Sequence, residues 1–560
     1  MTSNAIIIDG YVDEPACLGV PPYISPYIRT VAGVLVEHGI PTDYVTIDQL
    51  RKDPIRISEL CKYSYVVMIA GVTVPGKYLS GTPATLTELQ QIGLTIRGKT
   101  ISLLGGPIMF GWSPQGGKKA VSIDSVYRYW TVLLQGDPAT ALDSYLCGND
   151  VTDGKLRLQY LDYNRWAKLG ANIITNHPFY PYVMCELETS KGCHHGITGG
   201  CSFCTEPFYG SPIQRDVSDV SEEVSALYQS GARHFRVGRQ PDLLAFGTTD
   251  RHTEFPNPNP DALRKLFTEI RNSAPLLETL HIDNVNPGTI ARHEESSRDA
   301  LIAIIENHTS GDVAAFGIES VDPAVISANN LKVTEDMAYR AIEIVNEVGS
   351  KRRDGVPELL PGLNFIVGLA NETENTFKLN ESFLNRVISS GLMIRRVNIR
   401  HLMPFKNTRS YDNNTLGKHE FQYQQFKTRV RNNFDMPMLN RVFPIGTILK
   451  NIHIEVSGNQ LSFGRQMGSY PILCGVPLLL PVGSIIDAIV VAYGKRSITV
   501  LPIPININQI SPNALKWLPY VSKKSITKII SERPYTDTHT FQDTVELDLE
   551  FKRILPYLRF

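Results

Sequence analysis

Along the first ~150 residues, short unbroken apolar runs alternate with stretches in which apolar residues recur every three or four positions. The runs AIIIDG (5–10), YVTID (44–48), YVVMIAG (65–71) and TISLLGG (100–106) read as buried strands. YIRTVAGVLVEHGI (27–40) and the stretch around 84–96 have helical spacing. Such β-α-β alternation predicts a Rossmann-like, doubly wound parallel sheet over residues 1–150. Residues 151–180 lose the rhythm and read as a linker. From 181 to 410 the alternation returns at longer spacing, with strands at MCELETS, HFRVGRQ, TLHIDNV, VAAFGIES, GLNFIVG and RRVNIRHL. Six strands with helices between them suit a partial (β/α)6 barrel, whose chemistry gathers at the carboxyl ends of the strands. Residues 411–440 read as a linking helix. Between 441 and 508 the pattern becomes alternating, β-branched and punctuated by glycine, the mark of a small β-barrel. Residues 509–560 return to short helical stretches, read as a helical hairpin. The class is α/β.

Composition changes this picture little. Across 560 residues, 42% are hydrophobic and 20% charged, ordinary globular values that suit three or four domains. A formal charge of −1 leaves no whole-chain field to draw nucleic acid or membrane, so any such attraction must be local. There is no apolar run of membrane-spanning length and no leader pattern, so a cytoplasmic protein with no membrane partner is expected.

The eight cysteines carry more information. Cys193, Cys201 and Cys204 fall in ETSKGCHHGITGGCSFCTEP, a C-x7-C-x2-C spacing just after the first barrel strand. A scattered disulfide framework would look different. Three thiolates on a glycine-rich loop can hold an iron–sulfur cubane and leave one iron open to a substrate. A zinc site completed by His194 or His195 is the alternative. Polar residues at the other strand ends are candidate ligand contacts: Arg239, Gln240 and Asp242, then Asp283, Asn284 and Asn286, then Arg396, Arg400 and His401. No general acid or base is assigned among them.

The cysteine loop resembles that of the radical S-adenosylmethionine (radical SAM) superfamily, with seven residues in place of the usual three between the first two cysteines. Further features follow in that superfamily's order. Phe203 lies between the last two cysteines, Glu319 ends FGIES, and Gly368 and Glu372 lie in FIVGLANET. The resemblance implies a [4Fe-4S] cluster on Cys193, Cys201 and Cys204. It also implies S-adenosyl-L-methionine beside Phe203, Glu319, Gly368 and Glu372, an external electron donor, and formation of a 5′-deoxyadenosyl radical.

The flanking segments carry resemblances of their own. The GGP and QGDPATAL segments resemble the cobalamin-binding-type domain that precedes many radical SAM barrels. DGYVDEPACLG (9–19) lacks the histidine that ligates cobalamin in that domain, which leaves cobalamin open as an additional cofactor. Cys17, Cys61 and Cys147 do not reproduce the methylthiotransferase spacing for a second cluster. Residues 441–508 resemble a TRAM-like barrel. LPYVSKKSITKIISERPY (518–535) resembles a helix-hairpin-helix, with Tyr520 and Ser522 where hairpin glycines are usual. From Arg441 to Arg533 ten Lys/Arg face three Asp/Glu, a local charge of +7. Such a basic stretch implies RNA as the partner of residues 441–533. The leading expectation is therefore a radical SAM enzyme modifying tRNA or rRNA. The alternatives are a cobalamin-assisted methyltransferase acting on a protein or small molecule, and an RNA-binding scaffold with a structural cluster.

Overall fold

The computed structural model describes residues 3–11, 22–72, 81–113, 115–151, 160–250, 252–353, 355–542 and 549–560. Cys17 lies outside them. The amino-terminal sheet is built from β1 (Ala5–Asp9), β2 (Thr42–Thr46), β3 (Tyr65–Ile69), β4 (Ile101–Gly105) and β5 (Val132–Leu134). All pairings are parallel, in the order β2-β1-β3-β4-β5. β1 is buried at every position. A central parallel strand is covered on both faces, which is why it reads as an unbroken apolar run. β2 ends earlier than the apolar run suggests, because Thr46 caps the next helix in a reciprocal box with Gln49. β5 is only three residues long and gave no distinct signal.

Helix α1 (Pro26–Glu37) packs against α2 (Tyr160–Leu169), which lies inside the stretch expected to be a linker. Their approach is close. A Cβ at Gly33 would fall 2.0 Å from the Trp166 carbonyl oxygen, so only glycine fits there.

The second body has six parallel strands: β6 (Met184–Leu187), β7 (His234–Val237), β8 (Thr279–Ile282), β9 (Asp312–Glu319), β10 (Leu359–Val367) and β11 (Arg396–His401). An Asn284–Ala315 bridge joins the two three-strand halves, and Tyr23–Ile24 adds a short strand beside β6. Arg29 of α1 ties the two bodies together. It donates to Glu223 of α3 (Val217–Gln229) at 2.7 Å and to the carbonyl oxygens of Ile24 and Glu186.

Five strands, β12 (Ile448–Gly458), β13 (Leu461–Arg465), β14 (Leu473–Val476), β15 (Ile485–Tyr493) and β16 (Ser497–Pro502), close a small barrel in the order β12-β13-β14-β16-β15. It lies against the amino-terminal ends of the large barrel's strands. Its β13–β14 loop enters that barrel: the Ser469 amide donates to His281 at 2.9 Å, and the Ser469 hydroxyl to the Ile282 carbonyl oxygen at 2.8 Å. Beyond it, α4 (Lys523–Ser531) follows a turn in which Tyr520 has φ +58°. Among the described residues no helix is long and apolar enough to cross a membrane.

Buried Asp9 makes the stability of the first sheet depend on pH. Desolvation pushes its carboxyl up from 3.8 to about 6, although Tyr44 and the Tyr11 amide donate to it. A carboxyl raised on folding contributes stability that is complete below about pH 3.8 and lost as pH rises through about 6. The expected loss is about 3 kcal/mol, and Asp9→Asn should abolish that slope. Thermal unfolding followed from about pH 3.5 to 7, which spans both values, tests this; parallel profiles for both chains would refute it.

Candidate active site at the barrel mouth

The cysteine loop leaves β6 and is pinched at its neck, where Ser190 and Lys191 pair with Gln214 and Ile213. The seven residues between Cys193 and Cys201 are taken up by a 3-10 turn (His194–Thr198) and two left-handed glycines, Gly199 (φ +94°) and Gly200 (φ +67°). Elements far downstream pin this enlarged loop. Asn330 donates to the carbonyl oxygens of Thr198 (3.1 Å) and Gly200 (2.9 Å), and Arg409 donates to Gly200 (2.6 Å). Ser202 donates through its amide and its hydroxyl to Asn329.

Cys193, Cys201 and Cys204 line one cavity at the carboxyl ends of the strands. Burial raises all three thiol pKa values, Cys201 to about 12, and Lys332 is the cation that opposes this at both Cys193 and Cys201. Three crowded, desolvated thiols become thiolates together only where a cationic metal centre draws the protons off. His195 has both ring nitrogens engaged, one with Glu254 and one with the Asn330 carbonyl oxygen at 2.7 Å, so it is not open to complete a zinc site with the three thiols.

Phe203, Glu319 and Lys332 line the same cavity. Glu319 ends β9 with φ +66°, where the β9–β10 ladder slips between Gly317 and Glu319. A Cβ at Gly317 would come within 2.7 Å of Glu319 Oε1, so this glycine makes room for the carboxylate. Glu319 Oε2 is buried without a hydrogen-bond partner, and desolvation pushes the carboxyl up to about 7 against the pull of Lys332 and Arg400. The strained backbone and the orphaned oxygen, on a residue that lines the cavity, make Glu319 a candidate ligand contact. Burial lowers the Lys332 pKa, but the three cysteines and Glu319 outweigh it and hold the ammonium charged.

The other expected site residues divide. Gly368 (φ +101°) donates its amide to Glu372 at 3.0 Å, and this pair forms a turn that does not line the cavity. Asn284, Arg400 and His401 do line it. Asp242 instead accepts from the Leu244 and Asn286 amides and from Thr289, an architectural role, and Asn286 caps the helix Pro287–Arg292. Gln240 contacts Thr189 and the Val237 carbonyl oxygen. Arg236 pairs with Asp283 at 2.9 Å, and Arg239 lies 3.8 Å from Glu186, all buried inside the barrel. Arg396 stacks 3.7 Å over Tyr470.

Sequence reading missed Lys332 and Tyr470. Tyr470 comes from the small barrel's inserted loop, lines the cavity and donates to Asp283 at 2.6 Å. No sequence signal marks a residue that reaches the site from another barrel. Lys332 was open to a search for cations near Glu319.

Comparison with known proteins agrees with this architecture. No protein-family model matches the chain. The Methanocaldococcus jannaschii protein named Uncharacterized protein MJ0274 is 43% identical, over 89% of this chain and 93% of its own length. Ribosomal protein uS12 methylthiotransferase RimO of Pseudomonas aeruginosa is 28% identical over 37% of this chain and 44% of its own. The solved structure of the radical S-adenosylmethionine methyltransferase TsrM from Kitasatospora setae, with cobalamin and a [4Fe-4S] cluster bound, matches in fold at TM-score 0.50. It is 13% identical, over 73% of this chain and 77% of that one. The fold is therefore that of the radical S-adenosylmethionine methyltransferase, and by sequence the chain belongs to the family of MJ0274.

Proposed function

We propose that Cys193, Cys201 and Cys204 hold the cluster, that Phe203, Glu319 and Lys332 receive S-adenosylmethionine, and that the enzyme modifies a structured RNA. The observation carrying the site assignment is the orphaned Glu319 oxygen sharing one cavity with three thiols. A cluster held on these three thiols would supply one-electron reductive cleavage of S-adenosylmethionine, with methionine as the leaving group, and so hydrogen abstraction from a substrate. The protein's part is positional. Lys332 offsets the charge of the thiolates, Phe203 offers a ring to the adenine, and Glu319 Oε2 accepts from a ribose hydroxyl. Glu319→Gln should weaken S-adenosylmethionine binding about ten- to a hundredfold, the worth of one charged hydrogen bond. Equilibrium dialysis on the reconstituted enzyme reads this, with cluster absorbance unchanged. Unaltered affinity would remove Glu319 from the site.

The RNA reading rests on the exposed basic residues of the carboxy-terminal modules. Three of the ten cations are structural: Arg441 donates to Ile388 and Leu392 carbonyl oxygens, Arg465 pairs with Glu455, and Arg533 donates to Ile510. Lys450, Lys495, Arg496, Lys516, Lys523, Lys524 and Lys528 are exposed. Lys450 stands at the floor of the large barrel, whereas the cavity with the three thiols opens at its mouth. β9 alone, at eight residues, spans about 26 Å. An RNA held on this face must be large and folded to reach the mouth, which favours tRNA or rRNA over a short strand. The test is anaerobic incubation with S-adenosylmethionine, a reductant as electron donor and total RNA, followed by nucleoside mass spectrometry against a deletion strain. An unchanged nucleoside profile would reject the RNA reading.

One observation favours a second reading, a cobalamin-assisted methyltransferase. A crevice at the carboxyl edge of the first sheet is lined by Gly106, Gly136 and Asp137 on one side and Lys191 and Tyr209 on the other. Ligands of doubly wound sheets bind at such an edge. Cobalamin retained through gel filtration would support this reading, and its complete loss would reject it.

A further inference from the structure

Four fully buried guanidinium groups are met by carboxylates: Arg29 and Arg215 share Glu223, Arg236 pairs with Asp283, and Arg239 faces Glu186. The part-buried Arg271 and Arg395 are placed differently. Arg271 donates only to the carbonyl oxygens of Asn307 (2.5 Å) and His308 (3.0 Å). Arg395 donates only to the Tyr470 carbonyl oxygen (3.1 Å) and lies over the Phe443 ring. Among the described residues neither has a carboxylate within ion-pair distance, and both line one cavity of about 520 Å³.

That cavity lies between the amino-terminal ends of β7 and β8 and the small barrel's β12, on the opposite side of the 466–471 loop from the S-adenosylmethionine cavity. Glu358 pairs with Arg353 and His308, and Glu278, half-exposed and 3.9 Å from His234, is a carboxylate in the lining. On its wall Tyr182 and His453 stack, with centroids 5.0 Å apart at 23°. Lys450 and Asn451, both exposed, stand at its rim. Two guanidinium forks without carboxylates, beside an aromatic pair, are matched by a planar group that carries a phosphate.

We propose that this cavity binds a nucleotide-type phosphate monoester, with Arg271 and Arg395 on the phosphate and the Tyr182–His453 pair beside the base. The phosphate comes either from a free mononucleotide or from the 5′ end of an RNA. The site is independent of whether RNA is the modified substrate. Its occupant would also touch the residue that holds Tyr470, since Arg395 supports that carbonyl.

The test uses the full-length reconstituted enzyme saturated with S-adenosylmethionine, so that the upper cavity is not available to the probe. Uridine 5′-monophosphate, titrated calorimetrically to about 1 mM, should bind once per chain, with inorganic phosphate competing and uridine silent. Arg271→Gln and Arg395→Gln should each weaken binding about tenfold or more. If Arg395→Gln fails to fold, Arg271→Gln, whose partners are two loop carbonyls, carries the test. A 5′-phosphorylated oligoribonucleotide binding more tightly than both its 5′-hydroxyl form and the mononucleotide would identify an RNA end. Equal or weaker binding would identify the free nucleotide. No binding of either phosphorylated probe, or binding that ignores the arginine substitution, overturns the proposal. No step reads RNA modification, so the RNA reading can fail without touching this result.

Discussion

Cys201→Ala, reconstituted anaerobically with iron and sulfide, is expected to lose the charge-transfer absorption of the cluster and the production of 5′-deoxyadenosine. Iron should fall from about four per chain toward zero. A cubane held by three thiolates at an otherwise closed loop has no substitute ligand once one is removed. The neighbouring imidazole of His195 is committed to Glu254 and Asn330, and Cys185 is buried elsewhere in the core. Cys147, exposed on the amino-terminal body, is the matched control, and Cys147→Ser should keep both iron and activity. A Cys201→Ala chain with full iron and full S-adenosylmethionine cleavage would disprove the ligand assignment.

Glu223→Ala is expected to be the most destabilising single change, by about 3–5 kcal/mol or more. Glu223 is wholly buried and accepts from Arg29 at 2.7 Å and Arg215 at 2.5 Å, both equally buried. Removing it leaves two guanidinium charges in the interior with no anion. Glu223→Gln keeps the shape and some hydrogen bonds but not the charge, so it should cost less. Burial would raise the Glu223 pKa, but the two arginines outweigh it and hold the carboxyl below the usual 4.5. A carboxyl lowered on folding contributes stability that is present above that value and lost as pH falls through the folded pKa. Urea unfolding at neutral pH reads the first effect. Wild-type stability in the Glu223→Ala chain would show that the arginines find water or another partner. Because Arg29 belongs to the first body and Arg215 and Glu223 to the second, the same variant should also loosen their junction. Limited proteolysis of the native protein would report it.

The split of the ten carboxy-terminal cations shows how far local charge can be read. The sequence count of +7 is correct as a sum, but Arg441, Arg465 and Arg533 serve the fold and not the surface. Whether an arginine faces solvent depends on what the chain brings beside it, and that is not written in its own neighbourhood. The stretch 151–180 teaches the same lesson for helices. Tyr160–Leu169 is weakly patterned, yet it forms a helix because Gly33 lets α1 come against Trp166.

Strand and helix rhythm, the three-thiol loop and the acidic end of β9 were legible in the amino-acid sequence alone. Each depends on interactions among residues a few positions apart: pleat and helix periodicity, ligand spacing, and a strand end followed by a turn. The tertiary structure alone decided the rest. It pinned the lengthened cysteine loop with Asn329, Asn330 and Arg409, and set Lys332 against the thiols. It also carried Tyr470 from the small barrel into the large one, and closed Gly368 and Glu372 into a hydrogen-bonded turn. The physical reason is common to all of these. They are contacts between segments tens to hundreds of residues apart, fixed by how the packed bodies meet and by which buried charges find partners there.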